Sequence, residues 1–396
     1  MHIPLRQLFL AHVAQTSPAP LGLEIERAEG IWLYGKEGKR WIDFISGISV
    51  SNVGHRHPHV LAAIQHQLDR YMHLMVYGEY VQSPQVKLAS ALAEVSDGLD
   101  CVYFVNSGTE ATEGALKLAR RATGRTKLIS FRNAYHGSTM GSLSLMSEPM
   151  FTDPFKPLIP DVIHLDSGDI NALEAIDEST AAVVFECVRG EAGAIPLDQS
   201  YAQAIMDRCR STGTLLIADE IQSGFGRTGT FFAYQHYGIR PDIVLMAKGM
   251  GGGMPIGAFL AGRDLMHSLS NNPVLGHITT FGGHPVSCAA AMATLELIRT
   301  PEMPSQVANH EAFIRKRLQH PGILEISGRG LLLSARFRDE HTAQAVIRHC
   351  IENGLITDWF LFAPDRLRIS PPLTISPQEL ELACDILLNA VEACCG

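Results

Sequence analysis

The sequence predicts an α/β protein. We expect a large domain with a mostly parallel sheet of the seven-stranded type covered by helices, and a smaller α+β domain built from the N- and C-terminal segments. The chain has 396 residues, more than one hydrophobic core usually holds. In its middle part, continuous apolar runs alternate with segments of helical length, which is typical of a parallel sheet covered on both faces. The expected division is an N-terminal arm and meander at 1–59, the large domain at 60–290 and the C-terminal part of the small domain at 291–396.

The individual elements follow from the apolar periodicity and the turn residues, taken in chain order. We expect an arm helix at 2–15, a small antiparallel meander around Gly35 and Gly38, a helix at 60–72, and another that begins with Ser83 as its N-cap. The strands of the large sheet are predicted at 101–106, 127–131, 181–186, 214–219 and 242–248, and a helix at 285–299. The C-terminal unit is predicted to contain helices at 306–319, 341–353 and 376–392 and strands at 322–328, 331–337 and 367–370.

Composition places the chain among ordinary globular enzymes. Hydrophobic residues make up 46% and charged residues 18%, and the net charge of −9 with no basic block argues against nucleic-acid binding. The N-terminal segment is too short and too polar for a signal peptide, and no apolar run approaches the length of a membrane span. The eight cysteines lack CxxC pairs and disulfide-scaffold spacing, so we expect reduced thiols and a cytoplasmic protein.

Polar residues with chemical potential stand at the ends of the predicted strands. Ser107, Glu186, Asp219 and Lys248 each follow or end an apolar run. Parallel sheets bind ligands beyond the carboxyl ends of their strands, so we expect these side chains at one site.

Lys248 and Asp219 together indicate an aldehyde cofactor. A lysine in a loop is usually a solvated charge, but glycines after Lys248 allow a bulky group to approach the backbone. Its amine can form a Schiff base and then move protons as a general base. Asp219 can be a simple helix cap, or it can bond the pyridine nitrogen of pyridoxal phosphate and keep that nitrogen protonated.

The other parts of such a site are also present in the sequence. Ser107, Gly108 and Thr109 lie between a strand and a helix, where free N–H groups favour an anion, although the same pattern also caps ordinary helices. The hydroxyl pair Thr279–Thr280 can complete this phosphate site. A flat ring would stack on Tyr135, pack against Ile221 on its other face and meet Gln222 at its phenolic oxygen.

The ordered motifs SGTEA, AYHG, ADEIQSGFGRTG, MAKGMGGGMPIGA, TTFGGHP and RISPPL resemble those of the class III, fold-type I pyridoxal-phosphate aminotransferases. This family includes ornithine, acetylornithine, 4-aminobutyrate and ω-amino-acid transaminases, and the resemblance spans nearly the whole chain. It implies that Lys248 is the lysine of the cofactor aldimine. The cofactor-binding set implied by the resemblance is Ser107, Gly108, Thr109, Tyr135, His136, Glu186, Asp219, Ile221, Gln222, Lys248 and Thr280. Because Thr280 would reach the phosphate of a neighbouring subunit, the resemblance also implies a homodimer with shared active sites.

The same resemblance suggests how substrates are bound. Arg368 matches the arginine that binds the α-carboxylate of glutamate or 2-oxoglutarate, and its planar fork suits a carboxylate. Glu191 matches the glutamate that pairs with this arginine when an ω-amino donor is bound. These two residues imply a ping-pong transaminase that uses 2-oxoglutarate, although an ordinary ion pair is the simpler alternative.

Two departures from the family pattern leave the amino donor open. Ser138 stands where many members carry the arginine that binds the donor's distal carboxylate. Arg189 can replace that arginine or be an ordinary loop cation, and Tyr77 and Tyr80 are further candidates for the donor pocket.

Alternatives to this interpretation are a same-fold aminomutase or decarboxylase, and a non-catalytic binding protein that retains the fold. A metal site is not expected. His55, His57 and His59 alternate as metal ligands can, but they match the family's glycine-histidine turn and have no evident carboxylate partners.

Overall fold

The structure is a computed structural model, and it describes residues 4–395. Its longer helices are α1 (Leu5–His12), α2 (Pro58–Leu68), α3 (Ser83–Ala93), α4 (Gly108–Thr123), α5 (Gln199–Thr212), α6 (Pro285–Ile298), α7 (Met303–Arg317), α8 (Glu340–Glu352) and α9 (Pro377–Cys395). Short helices lie at Ser46–Ser49, Met140–Ser144, Pro149–Thr152 and Arg263–Met266. The strands are β1 (Ile25–Glu29), β2 (Trp32–Gly35), β3 (Arg40–Asp43), β4 (Cys101–Val105), β5 (Lys127–Phe131), β6 (Val162–Leu165), β7 (Thr180–Phe185), β8 (Val188–Arg189), β9 (Ile195–Pro196), β10 (Leu215–Asp219), β11 (Ile243–Met246), β12 (Gly257–Ala261), β13 (Glu325–Arg329), β14 (Leu332–Arg336), β15 (Leu355–Ile356), β16 (Trp359–Phe360) and β17 (Ala363–Ile369).

A seven-stranded sheet forms the centre of the large domain, as predicted. Its strand order is β4-β12-β11-β10-β7-β5-β6. Strand β12 runs antiparallel to both neighbours, while the other pairings are parallel. Strands β6 and β12 were missed from the sequence because β6 is short and half exposed, and β12 directly follows the glycine-rich loop. The α/β fold class is confirmed.

The smaller domain joins segments from both ends of the chain. The meander β1-β2-β3 is extended by β15, which pairs in parallel with β3 through Leu355 and Ile42. A second sheet, β13-β14-β17-β16, packs with α8 and α9 around an apolar core separate from that of the large sheet. The division expected at residue 290 falls inside α6, whose apolar residues up to Ile298 belong to the core of the large sheet.

Differences at helix ends are small. The arm helix is shorter than expected, with residues 2 and 3 of the predicted range outside the described part of the chain, and α1 has no buried residue. Helix α3 begins at Ser83, but the capping position belongs to Gln82, whose side chain makes no capping hydrogen bond. Within residues 4–395, no helix is both long and apolar enough to cross a bilayer.

Arg227 connects the large domain and the smaller domain. It is fully buried and donates to the backbone carbonyls of Leu331 and Pro371 and to the side chain of Asn52. Asn52 in turn donates to the carbonyl of Phe225 at 3.0 Å. Burial lowers the pKa of Arg227 to about 9. Since unpaired buried polar groups are costly, this network holds the N-terminal, central and C-terminal segments in one relative position.

Candidate active site

A cavity of about 520 Å³ opens at the carboxyl ends of the large sheet. Ten of the eleven predicted cofactor-site residues line it: Ser107, Gly108, Thr109, Tyr135, His136, Glu186, Asp219, Ile221, Gln222 and Lys248. Asn106, Val50 and Met254 also line it, and no sequence signal had selected the latter two. The site is therefore one open cavity, assembled from strand ends that are far apart in sequence.

Lys248 follows β11 in a conformation that lysine rarely adopts. Its φ is +44°, in the left-handed region, and such strain persists only where the surrounding structure imposes it. Burial lowers the pKa of its amine, with Arg368 acting in the same direction and Glu191 against it. In the described part of the chain its Nζ makes no hydrogen bond or ion pair. A lowered pKa increases the fraction of neutral amine, which is the form that acts as nucleophile and base.

Asp219 forms a buried pair with His136 that the sequence did not reveal. Its Oδ2 lies 2.6 Å from Nδ1 of His136, and its Oδ1 accepts the N–H of Ile221 at 2.9 Å. Burial alone would lower the pKa of His136, but Asp219 and the nearby Glu186 raise it. A carboxylate oxygen can accept more than one hydrogen bond, so Asp219 can still receive a donor from the cavity.

Glu186 lies beside this pair at the end of β7. Its carboxylate accepts the backbone N–H groups of Gly190 at 3.0 Å and Tyr135 at 3.3 Å. Burial raises the pKa of Glu186 to about 7. The floor of the cavity therefore contains two carboxyl groups, and one of them is half-protonated near neutral pH.

The loop before α4 is closely packed and capped. Ser107 accepts the N–H of Glu110 at 3.3 Å, and the hydroxyl of Thr109 lies 2.7 Å from that of Ser142. A Cβ at Gly257 would lie 2.3 Å from the carbonyl oxygen of Ser107, so only glycine fits beside this loop. The backbone N–H groups of this segment lie at the N-terminus of α4 and are already positioned to bind an anion.

Gln222 provides a test of whether the cavity fits the expected cofactor. Its Nε2 is buried and has no hydrogen-bond partner among the described residues. The backbone of Gly190 approaches so closely that a Cβ there would lie 1.9 Å from Oε1 of Gln222. An unpaired donor in the lining calls for an acceptor inside the cavity. A ring with a phenolic oxygen, a phosphate and an aldehyde matches Gln222, the α4 loop and Lys248 together.

Glu191 and Arg368, 177 positions apart, form an ion pair. Nη2 of Arg368 lies 3.0 and 3.1 Å from the two carboxylate oxygens of Glu191, and Arg368 is 2% exposed. Nε of Arg368 donates to Asp358 at 2.9 Å, a contact that was not predicted from the sequence. Burial alone would lower the pKa of Arg368, but the two carboxylates raise it.

The predicted substrate residues Glu191, Arg368 and Arg189 are not among the residues that line the cavity. Arg189 is part-buried, and burial lowers the pKa of its guanidinium while the charges of Glu186 and Tyr201 act to raise it. Tyr77 and Tyr80 do not line the cavity either, and Tyr80 is 53% exposed. Thr280 is exposed at the surface.

Ser138 does line the cavity. Its hydroxyl lies 3.0 Å from that of Tyr135. Among the lining residues of the described chain there is no arginine.

The histidine turn differs from the expectation in one respect. His55 lies 2.8 Å from Asp43, and His59 lies 2.7 Å from Glu296, so the statement that these histidines lack carboxylate partners was wrong. The two carboxylates approach from different segments. Within residues 4–395, no group of three or more side chains is arranged to hold a metal ion.

Comparison with known proteins identifies the family. The family model for aminotransferase class-III matches residues 13–391. The chain belongs to the class III aminotransferases. As a member of this family it is a transaminase that uses pyridoxal 5′-phosphate, and both predictions are confirmed. The alternatives of an aminomutase, a decarboxylase or a non-catalytic binding protein are not favoured.

Individual relatives of this class III aminotransferase agree with that assignment. An acetylornithine aminotransferase of Archaeoglobus fulgidus is 41% identical over 92% of this chain and 94% of its own length. The ornithine aminotransferase of Toxoplasma gondii superposes with a TM-score of 0.91 at 29% identity, covering 98% of this chain and 94% of that one. An (S)-enantioselective ω-transaminase of Thermomicrobium roseum gives 0.91 at 30% identity, covering 99% and 98%. The chain is therefore similar along its whole length to enzymes named for different donors.

Proposed function

We propose that this enzyme moves the terminal amino group of an ω-amino acid or amine to 2-oxoglutarate by a ping-pong mechanism. The observation that carries this proposal is the contact between Arg368 and Glu191, whose charges act on Lys248. An arginine with a carboxylate that can be displaced can serve two substrates in turn, one with a carboxylate at that position and one without.

The proposed cofactor contacts follow the geometry of the cavity. The segment Ser107–Thr109 would hold the phosphate, Tyr135 and Ile221 would pack against the ring, and Gln222 would donate to the phenolic oxygen. All of these residues line the cavity. His136 pairs with Asp219, which would hold the ring nitrogen protonated. When bound, the cofactor withdraws electrons from the substrate carbon that loses its proton.

Lys248 performs the proton transfer in this proposal. Because burial lowers the pKa of its amine, Nζ is able to take a proton from the substrate carbon that bears the amino group. The protonated Nζ would then act as the acid that returns this proton. The second half of the reaction reverses these steps with 2-oxoglutarate.

Arg368 selects the second substrate. With an ω-amino donor at the site, Glu191 stays paired with Arg368. With 2-oxoglutarate, Glu191 moves away and the guanidinium binds the α-carboxylate through two parallel hydrogen bonds. Because Arg368 is buried, its contact with the substrate carboxylate is stronger than the same contact would be in water.

We propose that the enzyme does not strongly require a distal carboxylate on its amino donor. Ser138 replaces the family's arginine, and Arg189 lies outside the cavity lining. Relatives named acetylornithine aminotransferase and ω-transaminase both support a donor whose reacting amine is terminal. A panel of ornithine, N-acetylornithine, 4-aminobutyrate, β-alanine, lysine and diamines tests this.

The test of the overall proposal uses the two half-reactions. The purified holoenzyme should show a visible absorbance band that disappears with amino donor and returns with 2-oxoglutarate. Mixing with glutamate should release 2-oxoglutarate, whereas no release would favour an aminomutase or decarboxylase. Strong preference for pyruvate over 2-oxoglutarate would contradict the proposed role of Arg368.

We also propose a homodimer with shared active sites, as the position of Thr280 suggests. Exposed apolar side chains cluster in two neighbouring segments, which are joined by the packing of His73 on Phe281 with ring centroids 4.9 Å apart. The exposed members are Met72, Leu74, Met75, Tyr80, Val81, Val274, Leu275, Ile278 and Phe281. Asn106 at the cavity donates to Thr279 of the same region at 2.9 Å.

A second copy of the chain would cover this apolar surface and bring Thr280 to the phosphate loop of its partner. Light scattering should give a dimer. Val81→Asp and Phe281→Asp should shift it to monomer and lower cofactor affinity, and a monomeric, fully active wild type would contradict the proposal.

The cytoplasm is the proposed compartment. All eight cysteines are free thiols, and most are buried. Structural disulfides are common in oxidising compartments and rare in the cytoplasm, so free thiols support this location. Fractionation of the native source should recover the activity in the cytoplasmic fraction.

A further inference from the structure

Asp358 contacts Arg368, the arginine proposed to bind the substrate carboxylate. The contact is at Nε, which the carboxylate does not need for its two hydrogen bonds. Its Oδ1 accepts from Nε of Arg368 at 2.9 Å, while Glu191 takes Nη2. Nη1 of Arg368 is buried and has no partner among the described residues. In the guanidinium, Nε is therefore held by Asp358, Nη2 is occupied by the exchangeable carboxylate of Glu191, and Nη1 has no acceptor among the described residues.

The backbone also places Asp358 across from the arginine. Strands β16 and β17 are antiparallel neighbours, and the backbone N–H of Arg368 donates to the carbonyl of Asp358 at 2.9 Å. The guanidinium packs over the ring of Phe360, with its central carbon 4.2 Å from the ring centroid. Asp358 is thus fixed by the same two strands that position Arg368, so its contact does not depend on Glu191.

The segment 358–362 also holds the exchangeable carboxylate. The N–H of Leu361 donates to Oε2 of Glu191 at 3.1 Å, and the N–H of Phe362 donates to the carbonyl of Glu191 at 3.1 Å. The side-chain bond can break without the backbone bond. Glu191 can therefore leave Arg368 while its own backbone stays attached to this segment.

We propose that Asp358 is a positioning residue that holds Nε of Arg368 throughout the exchange, so that Nη1 and Nη2 face the α-carboxylate of the incoming 2-oxo acid or glutamate. This inference rests on the proposed function of Arg368. In the absence of Asp358, departure of Glu191 would leave Nε of the buried guanidinium without its acceptor and the group free to rotate. Leaving a buried donor unsatisfied is unfavourable, so the exchange needs a second acceptor that stays in place.

The experiment compares two variants at Asp358 with a matched control in the holoenzyme. Asp358→Ala removes the contact with Nε, and Asp358→Asn keeps an oxygen acceptor at the same place. Asp365→Ala removes a carboxylate from β17 that makes no side-chain hydrogen bond or ion pair among the described residues. The probe is glutarate, an unreactive dicarboxylate, with its dissociation constant measured by calorimetry. The glutamate and amine-donor half-reactions are followed by the cofactor absorbance.

We expect Asp358→Ala to weaken glutarate binding and to raise the KM for glutamate by about tenfold or more, as for loss of a hydrogen bond to a charged group. The kcat of Asp358→Ala with glutamate and the rate of its amine-donor half-reaction should stay within about threefold of wild type. Asp358→Asn should recover glutarate binding to within about threefold, and Asp365→Ala should match wild type.

Distinct results overturn the inference and the proposed function. If the wild type converts glutamate but Asp358→Ala binds glutarate equally well, Asp358 is not a positioning residue and the proposed function stands. If Asp358→Asn loses as much glutarate affinity as Asp358→Ala, or if both variants slow the amine-donor half-reaction equally, Asp358 acts through its charge or through the stability of the fold, and the inference fails. If the wild type neither binds glutarate nor converts glutamate, both are overturned.

Discussion

Replacing Glu191 by glutamine removes one charge from the buried contact with Arg368 while leaving its shape nearly unchanged. The wild-type carboxylate receives Nη2 of Arg368 at 3.0 and 3.1 Å and the N–H of Leu361 at 3.1 Å. The amide oxygen can keep one contact with Arg368. The substitution therefore changes how strongly Glu191 competes for the arginine, and little else.

The magnitude follows from the type of hydrogen bond that is lost. Hydrogen bonds to charged groups contribute about 1.5–3 kcal/mol, and neutral ones about 0.5–1.5 kcal/mol. Glutamate must displace a partner that is weaker by about 1–1.5 kcal/mol, so its apparent affinity should rise by about five- to tenfold. Arg368 keeps Asp358 as a charged partner, so the protein should lose about 1–1.5 kcal/mol of stability, well below the roughly 3–5 kcal/mol of a broken buried pair.

The assay measures both half-reactions of Glu191→Gln by rapid mixing and its melting temperature. We expect the ratio of kcat/KM for glutamate to that for the amine donor to increase by about five- to tenfold. Arg368→Lys is the matched control, because it keeps the positive charge but loses the planar fork, and it should lower that ratio. If Glu191→Gln is folded and leaves the ratio unchanged, Glu191 does not compete with the substrate carboxylate and the reasoning is refuted.

Three further predictions concern the cofactor site and the core. Lys248→Ala should lower turnover by about a thousandfold or more with every donor, as measured in the holoenzyme. Since burial lowers the pKa of Lys248, the folded state binds fewer protons than the unfolded state, and wild-type stability should increase relative to the variant as pH rises toward 10.5, the ordinary pKa of lysine, in thermal melts. Gly257→Ala would place a Cβ 2.3 Å from the carbonyl oxygen of Ser107 and should weaken cofactor binding by about tenfold in fluorescence titration, whereas Gly262→Ala, with no atom within 4 Å, should not. Burial raises the pKa of Glu220 to about 7, so the folded state binds more protons than the unfolded state and stability should fall as pH rises from about 5 to 8. Melting curves of Glu220→Gln should show a flatter dependence over that range, and an equal slope would contradict the raised pKa.

Much of the fold was predictable because its signals are local. The strands that end at Asp219 and just before Lys248 are continuous apolar runs, and such runs are distinct from the amphipathic helices between them. The strand at Gly257 was missed because a short apolar run after a glycine-rich loop has no periodicity of its own. Strand β15 was missed for another reason, since its two residues become a strand only by pairing with β3.

The sequence by itself determined which residue types stand at the strand ends, and therefore the cavity lining, because the chain order of strands and helices places those ends at one edge of the sheet. Tertiary structure alone decided the state of these groups. The pairing of Asp219 with His136, the raised pKa of Glu186 and the second partner of Arg368 all come from burial and from contacts between distant segments. Lys248 shows both parts. Its place after an apolar strand predicted its role, but only the folded chain surrounds its amine closely enough to lower its pKa, since desolvation depends on what packs around a group in space.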